Sequence, residues 1–495
     1  MSVSSTVFND IPAALRVPGW YIEFDNRLAG NAVFQGKLLV LGQMLTGGTA
    51  TAGQALRVTN PEQADEAFGR GSMLAEMMRA IKDVDLYTET WCIPLEDAAT
   101  AVKASGSIEV TAGPTETRPL ALYLAGYRVW CTMTASATPE EAAQAIVDAI
   151  NGNDRAPVTA VIDGTTASKV NLTCRWGGET GNDIDLRDSV KGEERTRGLR
   201  LTYTAMSGGA VNPELDPAIA AMGAEWWNWI CLPYTDTASL EAMEGELSDR
   251  YGPMRQIGGR AFAAFRGNHA DTATLGNGRN SPHVTVMGTN LAVSPTWLWA
   301  ATDAIAAAGA LAIDPARPLQ RLALPGLIGP AESDRWTDAE RNLLLYDGIA
   351  SYTVASDGTV QIERQITTYQ ENAAGIADDS YLDINTPETL ERLRFEQISL
   401  FAQKYPRHKL AADEDRDFYD PSQPIMTPKV ARSELLNLYR LTFMGERGWV
   451  RDYEGYAESL QANIDPDDPS RLNVIDQPML IGQYRVHAQQ TQFRR

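Results

Sequence analysis

Trp226-Trp227-Asn228-Trp229-Ile230-Cys231-Leu232 is a near-continuous apolar run, and Arg260–Phe265 and His283–Met287 repeat its character downstream. A strand apolar at nearly every position must be covered on both faces, which is the condition of a parallel sheet clad in helices. Helical stretches separate the runs: Pro213 to Gly223, Ser239 to Tyr251 and Pro295 to Leu311. Strands alternating with helices specify an α/β core.

The same grammar stands upstream. Leu38-Leu39-Val40-Leu41 reads as an apolar strand, Asn60-Pro61-Glu62-Gln63 as a helix start, Ser72 to Val84 as a second helix and Thr90-Trp91-Cys92-Ile93 as a second strand. In the helix start Asn caps, Pro occupies the first turn and Gln can reach back. Between the two α/β stretches the pattern alternates with period two, as in Val129, Cys131 and Met133 against Arg128, Thr132 and Thr134. Such alternation marks strands wetted on one face. One helix interrupts it, opened by the capping box Thr138-Pro139-Glu140-Glu141. Residues 98–206 therefore read as an inserted β-sandwich-like domain carrying a helix, an excursion from a core made of 35–97 and 207–333.

A C-terminal α+β domain is expected over 334–477. Thr337-Asp338-Ala339-Glu340 is another capping box, Ile349 to Val354 and Thr359 to Tyr369 make a hairpin about Asp357-Gly358, and helices start at Thr386 and at Thr427, the latter running to Gly445. Extended arms flank these domains: 1–34, with Val17-Pro18-Gly19-Trp20-Tyr21-Ile22-Glu23-Phe24, and 478–495, with a strand expected over Leu480 to Val486. The fold class is α/β with these additions.

The 495 residues carry 43 Lys and Arg against 64 Asp and Glu, a net charge of −21. That balance opposes a direct nucleic-acid coat or an anionic-membrane binder, both of which need clustered cations. Cys92, Cys131, Cys174 and Cys231 are scattered through apolar or alternating runs and read as buried free thiols. The opening MSVSSTVFND lacks a basic and then apolar leader, so synthesis and assembly in the cytoplasm are expected. The most membrane-like stretch, Leu291 to Ile313, holds Pro295 and Asp303 and reads as a core helix, with no membrane insertion expected.

Catalytic tools are missing from the pattern. There is no G-x-S-x-G elbow; Gly30 to Lys37 has the wrong spacing for a phosphate loop and puts Leu38 where Ser or Thr must stand; Gly276-Asn277-Gly278 lacks a third glycine. Asp413, Asp415 and Asp417 begin like a calcium loop, but Phe418 and Pro424 replace its glycine and its glutamate; Asp465, Asp467 and Asp468 likewise read as a solvated acidic loop. No metal and no cofactor are expected. His269 and His283, flanking a Gly/Asn-rich stretch near Asp271, are what an α/β hydrolase would have to use.

Both arms are aromatic and β-branched and lack a local hairpin partner. Unpaired strands are protected or used, and using them means adding a strand to another subunit's sheet. Repeated heterologous contacts of that kind close rings or grow helices. The residues that carry this pattern, Val17–Asn26, Phe68-Gly69-Arg70-Gly71-Ser72-Met73-Leu74, Glu89-Thr90-Trp91-Cys92-Ile93-Pro94, Val360–Tyr369 and Tyr484-Arg485-Val486-His487, resemble the tail sheath protein of Mu-like contractile bacteriophages over essentially the full length. The resemblance implies a non-enzymatic virion-tail subunit, stacked as hexameric rings in a helical sleeve, with tail tube, baseplate and tail terminator proteins as partners. A sheath of a phage-tail-like bacteriocin or injection machine is the neighbouring alternative. It further implies inter-subunit arms, here Val17, Trp20, Tyr21, Ile22 and Phe24 at one end and Ile481, Tyr484 and Val486 at the other. It also implies a tube-facing helix, here bearing Lys429, Arg432 and Arg440.

Overall fold

The computed structural model describes residues 36–420 and 422–494. Its centre is a six-stranded sheet in the order Val284–Gly288, Arg260–Phe265, Trp229–Cys231, Lys37–Gln43, Glu89–Leu95 and Leu56–Arg57. The strands are parallel except the short Leu56–Arg57 edge, which the sequence pattern did not signal. Leu38 pairs with Trp229 on one side and Thr90 on the other, so the stretches before and after the excursion share one sheet. Each central strand is buried along nearly its whole length, as a sheet with both faces covered requires.

Several elements are shorter than the pattern suggested. Hydrogen-bonded pairing covers only Trp229–Cys231, while Trp226 and Trp227 anchor their indole N–H groups on the carbonyls of Gly258 and Met222. The helix before them runs Asp216–Met222. Conversely, the Gly/Asn-rich stretch is helical over His269–Asn277, because Asn268 accepts the backbone N–H of Asp271 and caps a turn that glycine content alone disfavours.

The chain grows from Lys37–Gln43 to Glu89–Leu95 and then returns to add Trp229–Cys231 on the opposite side. Ligands of doubly wound sheets bind outside the carboxyl ends of the strands at such a reversal. Here that position is filled: the fully buried Gln43 donates to Asp97 at 2.7 Å and to the Gly177 carbonyl of the excursion at 2.6 Å. Across the sheet lies the Thr296–Ile313 helix, long and apolar enough to span a bilayer, with Trp297, Trp299, Ala300, Ala304 and Ala308 packed inside the protein.

The excursion consists of two antiparallel sheets. One has the order Arg200–Ser207, Ser105–Ala112, Lys169–Cys174, Val158–Ile162; the other Tyr127–Met133, Arg118–Leu124, Leu186–Asp188. The Pro139–Asn151 helix, with its capping box formed as read, packs Ala142, Ala143, Ile146 and Ile150 against strands of both. The unit is thus two sheets closed by a shared helix rather than two sheets packed only on each other.

The hairpin Ser351–Val354/Val360–Arg364 follows the Asp338–Tyr346 helix, and on either side of it backbone groups of Ala350 and Thr368 bond to Val286 and Val284, covering the edge of the central sheet. Leu344, Ile349, Val360, Ile362 and Ile384 belong to the main apolar core. A second, smaller core begins at Leu393, half-way along the Asn385–Lys404 helix, and gathers Leu435, Tyr439, Phe443, Trp449 and Tyr456. The helix expected from Thr427 is α-helical over Pro428–Asn437 and continues as a π-helix over Leu438–Glu446, which keeps Tyr439 and Phe443 inward.

Candidate assembly interface

The outermost part of the C-terminal section is an incomplete sheet. Gln461–Ile464 pairs antiparallel with Leu472–Ile475, and among the described residues neither outer edge carries another strand. Its turn is built by Asp465, whose carboxylate accepts the N–H groups of Asp467 and Asp468 and the Asn473 amide, interactions that hold its pKa low. The acidic stretch is therefore a hairpin turn, and no group of His, Cys, Asp and Glu with metal-holding geometry occurs among the described residues. Val474 and Ile475 point their side chains to solvent, Ile475 at 63% exposure. Four-residue strands with free edges are poised to pair with added chain. Sequence reading missed this site, because Ala462 and Ile464 before the acidic turn and Leu472 and Val474 after it alternate over only four residues each.

Close by, Met479–Leu480 pairs antiparallel with Val450–Arg451 of the same chain, and the Ile481 N–H donates to the Trp449 carbonyl. The expected strand over Leu480 to Val486 thus pairs only at its beginning, because Gly482 ends the ladder and the following side chains find polar anchors instead. Gln483 donates to the Ala316 carbonyl, and Arg485 lies 3.0 Å from Asp383 with little exposure. Tyr484 between these anchors and Val486 just after them face outward at 75% and 82% exposure, and Ile481 is exposed as well. The period-two alternation survives without a ladder. The expected arm residues Val17, Trp20, Tyr21, Ile22 and Phe24 lie outside the described residues.

On the Pro428–Glu446 helix the three basic candidates differ. Lys429 is exposed, and Arg440 is exposed with its guanidinium 5.6 Å from the Tyr453 ring. Arg432 instead donates to the carbonyls of Ala457 and Leu460, satisfying the last turn of the Tyr453–Ser459 helix. Leu441 and Met444 are exposed beside Arg440.

The two histidines do not converge on a cleft. His269 bonds through Nε2 to the Glu340 carbonyl and sits edge-on to Trp336. His283 is buried between Tyr251 and Arg260, and burial with the neighbouring guanidinium groups pushes its pKa down to about 2. It belongs to a buried charge cluster: Arg260 lies 3.5 Å from Glu391 and 3.9 Å from Glu388, both on the first half of the Asn385–Lys404 helix. Arg392 of the same helix donates to the Ala312 carbonyl at the end of the core helix. These contacts weld the C-terminal section to the α/β core.

The profile of the phage tail sheath protein central domain matches residues 208–368. The chain is also 43% identical, over the full length of both sequences, to the Mu-like prophage FluMu tail sheath protein of Haemophilus influenzae strain Rd. The chain belongs to the phage tail sheath protein family. As a member of that family it is a structural sheath subunit, as the residue resemblance implied. Among solved structures it is similar to the sheath tail protein of Desulfitobacterium hafniense, with 13% identity, 94% of this chain and 100% of that one covered, and a TM-score of 0.48. It is also similar to the contracted helical sheath of the anti-feeding prophage, with 13% identity, 97% and 99% coverage and a TM-score of 0.47.

Proposed function

We propose that this sheath subunit polymerises as stacked hexameric rings around a tail tube, and that collective contraction of the sleeve drives the tube through a host envelope. The observation that carries the reading is the open-edged hairpin at Gln461–Ile464 and Leu472–Ile475, next to an extended tail that turns Tyr484 and Val486 to solvent. Arms of neighbouring copies would add strands to that hairpin, each backbone hydrogen bond contributing about 0.5–1.5 kcal/mol net. In this reading Val17, Trp20, Tyr21, Ile22 and Phe24, with Ile481, Tyr484 and Val486, are the donated segments. The tube, baseplate and terminator proteins are the other partners, nucleic acid is not contacted directly, and assembly takes place in the bacterial cytoplasm.

Contraction is then a two-state repacking in which donated strands keep copies connected while rigid bodies shift against each other. The welded seam of Arg260, Glu388, Glu391 and Arg392 suits a subunit that moves as one body. Negative-stain microscopy of the purified protein tests the proposal: striated hollow cylinders are expected. Deletion of residues 1–25, and separately Ile475→Asp, should each leave folded monomers that no longer polymerise. Normal cylinders from both variants would remove strand donation from the account.

A further inference from the structure

A cleft of about 400 Å³ opens where the inserted domain meets the α/β core. Trp297 of the core helix and Trp176 of the insertion line it, packed edge to face at 5.3 Å. The Ala125–Tyr127 turn of the insertion forms one wall and the Pro325–Leu327 loop another. Thr302, one turn beyond Leu298 on the core helix, lines the same cleft. It is 1% exposed, and its hydroxyl has no hydrogen-bond partner in the protein. The Arg79 Nε–H, which lines the same cleft, is buried and faces a Glu76 carboxylate oxygen at 3.7 Å. A buried polar group left unmatched costs stability, so the Thr302 hydroxyl on this largely apolar cleft points to a partner supplied from outside.

The charges around the cleft say what that partner is not. Arg155 grips Glu76 with two bonds of 3.0 and 2.7 Å, and Arg79 spends its terminal nitrogen on Asp65 at 2.7 and 2.9 Å. Both guanidinium groups are neutralised, and the exposed Asp83 carboxylate on the rim repels an anion. The inner carboxylate, Glu76, is already gripped by Arg155, and Asp83 stands in solvent where a cation gains little by leaving water. An uncharged occupant remains, with aromatic or aliphatic bulk against Trp297 and one oxygen that meets the Thr302 hydroxyl once that side chain turns into the cleft.

We propose that this cleft binds an uncharged, largely apolar molecule carrying a single hydroxyl or carbonyl oxygen, and that occupancy pins the inserted domain to the core. Because the walls come from both units, a bound molecule is stabilised by contacts that exist only while they stay in register. The site would therefore couple small-molecule binding to the relative freedom of the insertion.

The test uses the full chain in solution and does not depend on polymerisation, so its failure is distinguishable from failure of the sheath reading. Dissociation constants for 2-naphthol and for naphthalene are measured by equilibrium dialysis at pH 7. The native chain should bind 2-naphthol about three- to tenfold more tightly, the worth of one hydrogen bond. Thr302→Val, which keeps the shape and removes the hydroxyl, should shrink that preference, and Ala80→Phe, which fills the cleft from the neighbouring helix, should abolish binding of both. Saturation with 2-naphthol should slow hydrogen exchange at Ala125–Tyr127. Absence of saturable binding, an equal affinity for the two probes, or Ala80→Phe binding like the native chain would each overturn the proposal. If Ala80→Phe fails to fold, the Thr302→Val comparison decides alone.

Discussion

Two regions of this subunit invert the usual distribution of charge and apolar surface. At the seam between the α/β core and the Asn385–Lys404 helix, Arg260, Glu388, Glu391 and Arg392 are buried. Beyond Leu460, the last buried side chain of the small core that this helix begins, Ile475, Tyr484 and Val486 stand in solvent. Buried charge holds a geometry because each partner is costly to move alone, whereas exposed apolar strand edges gain from being covered. One region is complete within the chain; in the proposed assembly the other is completed by a neighbour. Under the proposed contraction, a subunit that shifts as a body while staying linked to its lattice needs both.

The largest expected effect comes from breaking the complete region. Arg260→Leu leaves Glu388 without its Arg260 partner and weakens the surroundings of Glu391, which keeps Arg394 at 2.5 Å. Removing one member of a buried ion pair costs about 3–5 kcal/mol, and urea unfolding of the monomer should register that loss. Replacing the glutamates as well, Arg260→Leu with Glu388→Leu and Glu391→Met, should recover much of it, since apolar substitutes of similar size avoid the desolvation penalty. A single variant as stable as the native chain would mean that the seam is held by its apolar contacts alone.

A smaller effect is expected one layer deeper. Asp303 is fully buried in the core helix, accepting the Gln365 amide at 2.7 Å, and burial pushes its carboxyl up to about 7. An unfolded aspartate titrates near about 3.9. Between those values the folded chain keeps a proton that the unfolded chain has lost. The contribution of this group to stability therefore falls by about 1.4 kcal/mol per pH unit as pH rises through that window, and levels off above it. Asp303→Asn removes the titration. Its stability relative to the native chain, from urea unfolding at pH 5 and pH 8, should improve by roughly 2–3 kcal/mol between the two. An unchanged difference would show that Asp303 stays ionised across the range.

The complete region was the legible one. Apolar runs such as Leu38–Leu41 and Arg260–Phe265 declare a doubly covered sheet because burial on both faces leaves no position for a polar residue, and the capping boxes at Thr138 and Thr337 formed as read. What escaped was set by distant partners. Arg260 heads an apolar strand and looks like a solvated end until Glu388 and Glu391, more than a hundred residues away, are folded over it. The Leu438–Glu446 segment has an ordinary helical pattern, and the sequence reading gave no sign of its π-helical path. The 461–475 hairpin has strands of four residues, too short for periodicity to distinguish them from loop, and the tail after Gly482 keeps its alternation without the hydrogen bonds that alternation normally accompanies.

The smallest effects separate residues that only the incomplete region uses. Lys429 and Arg440 project from the Pro428–Glu446 helix into solvent, so Lys429→Ala and Arg440→Ala should each change the stability of the monomer by no more than about 0.5 kcal/mol. Arg432→Ala removes donors from the carbonyls of Ala457 and Leu460 and should cost about 1 kcal/mol or more, though all three residues carry the same charge on the same helix. Thermal unfolding of the monomers ranks them, and co-sedimentation of each variant with tail tubes then assigns function. If the exposed pair faces the tube, those two variants lose tube association while remaining as stable as the native chain. If Arg432→Ala alone loses it, the helix acts through its packing on Tyr453–Ser459, and the basic face is not the contact.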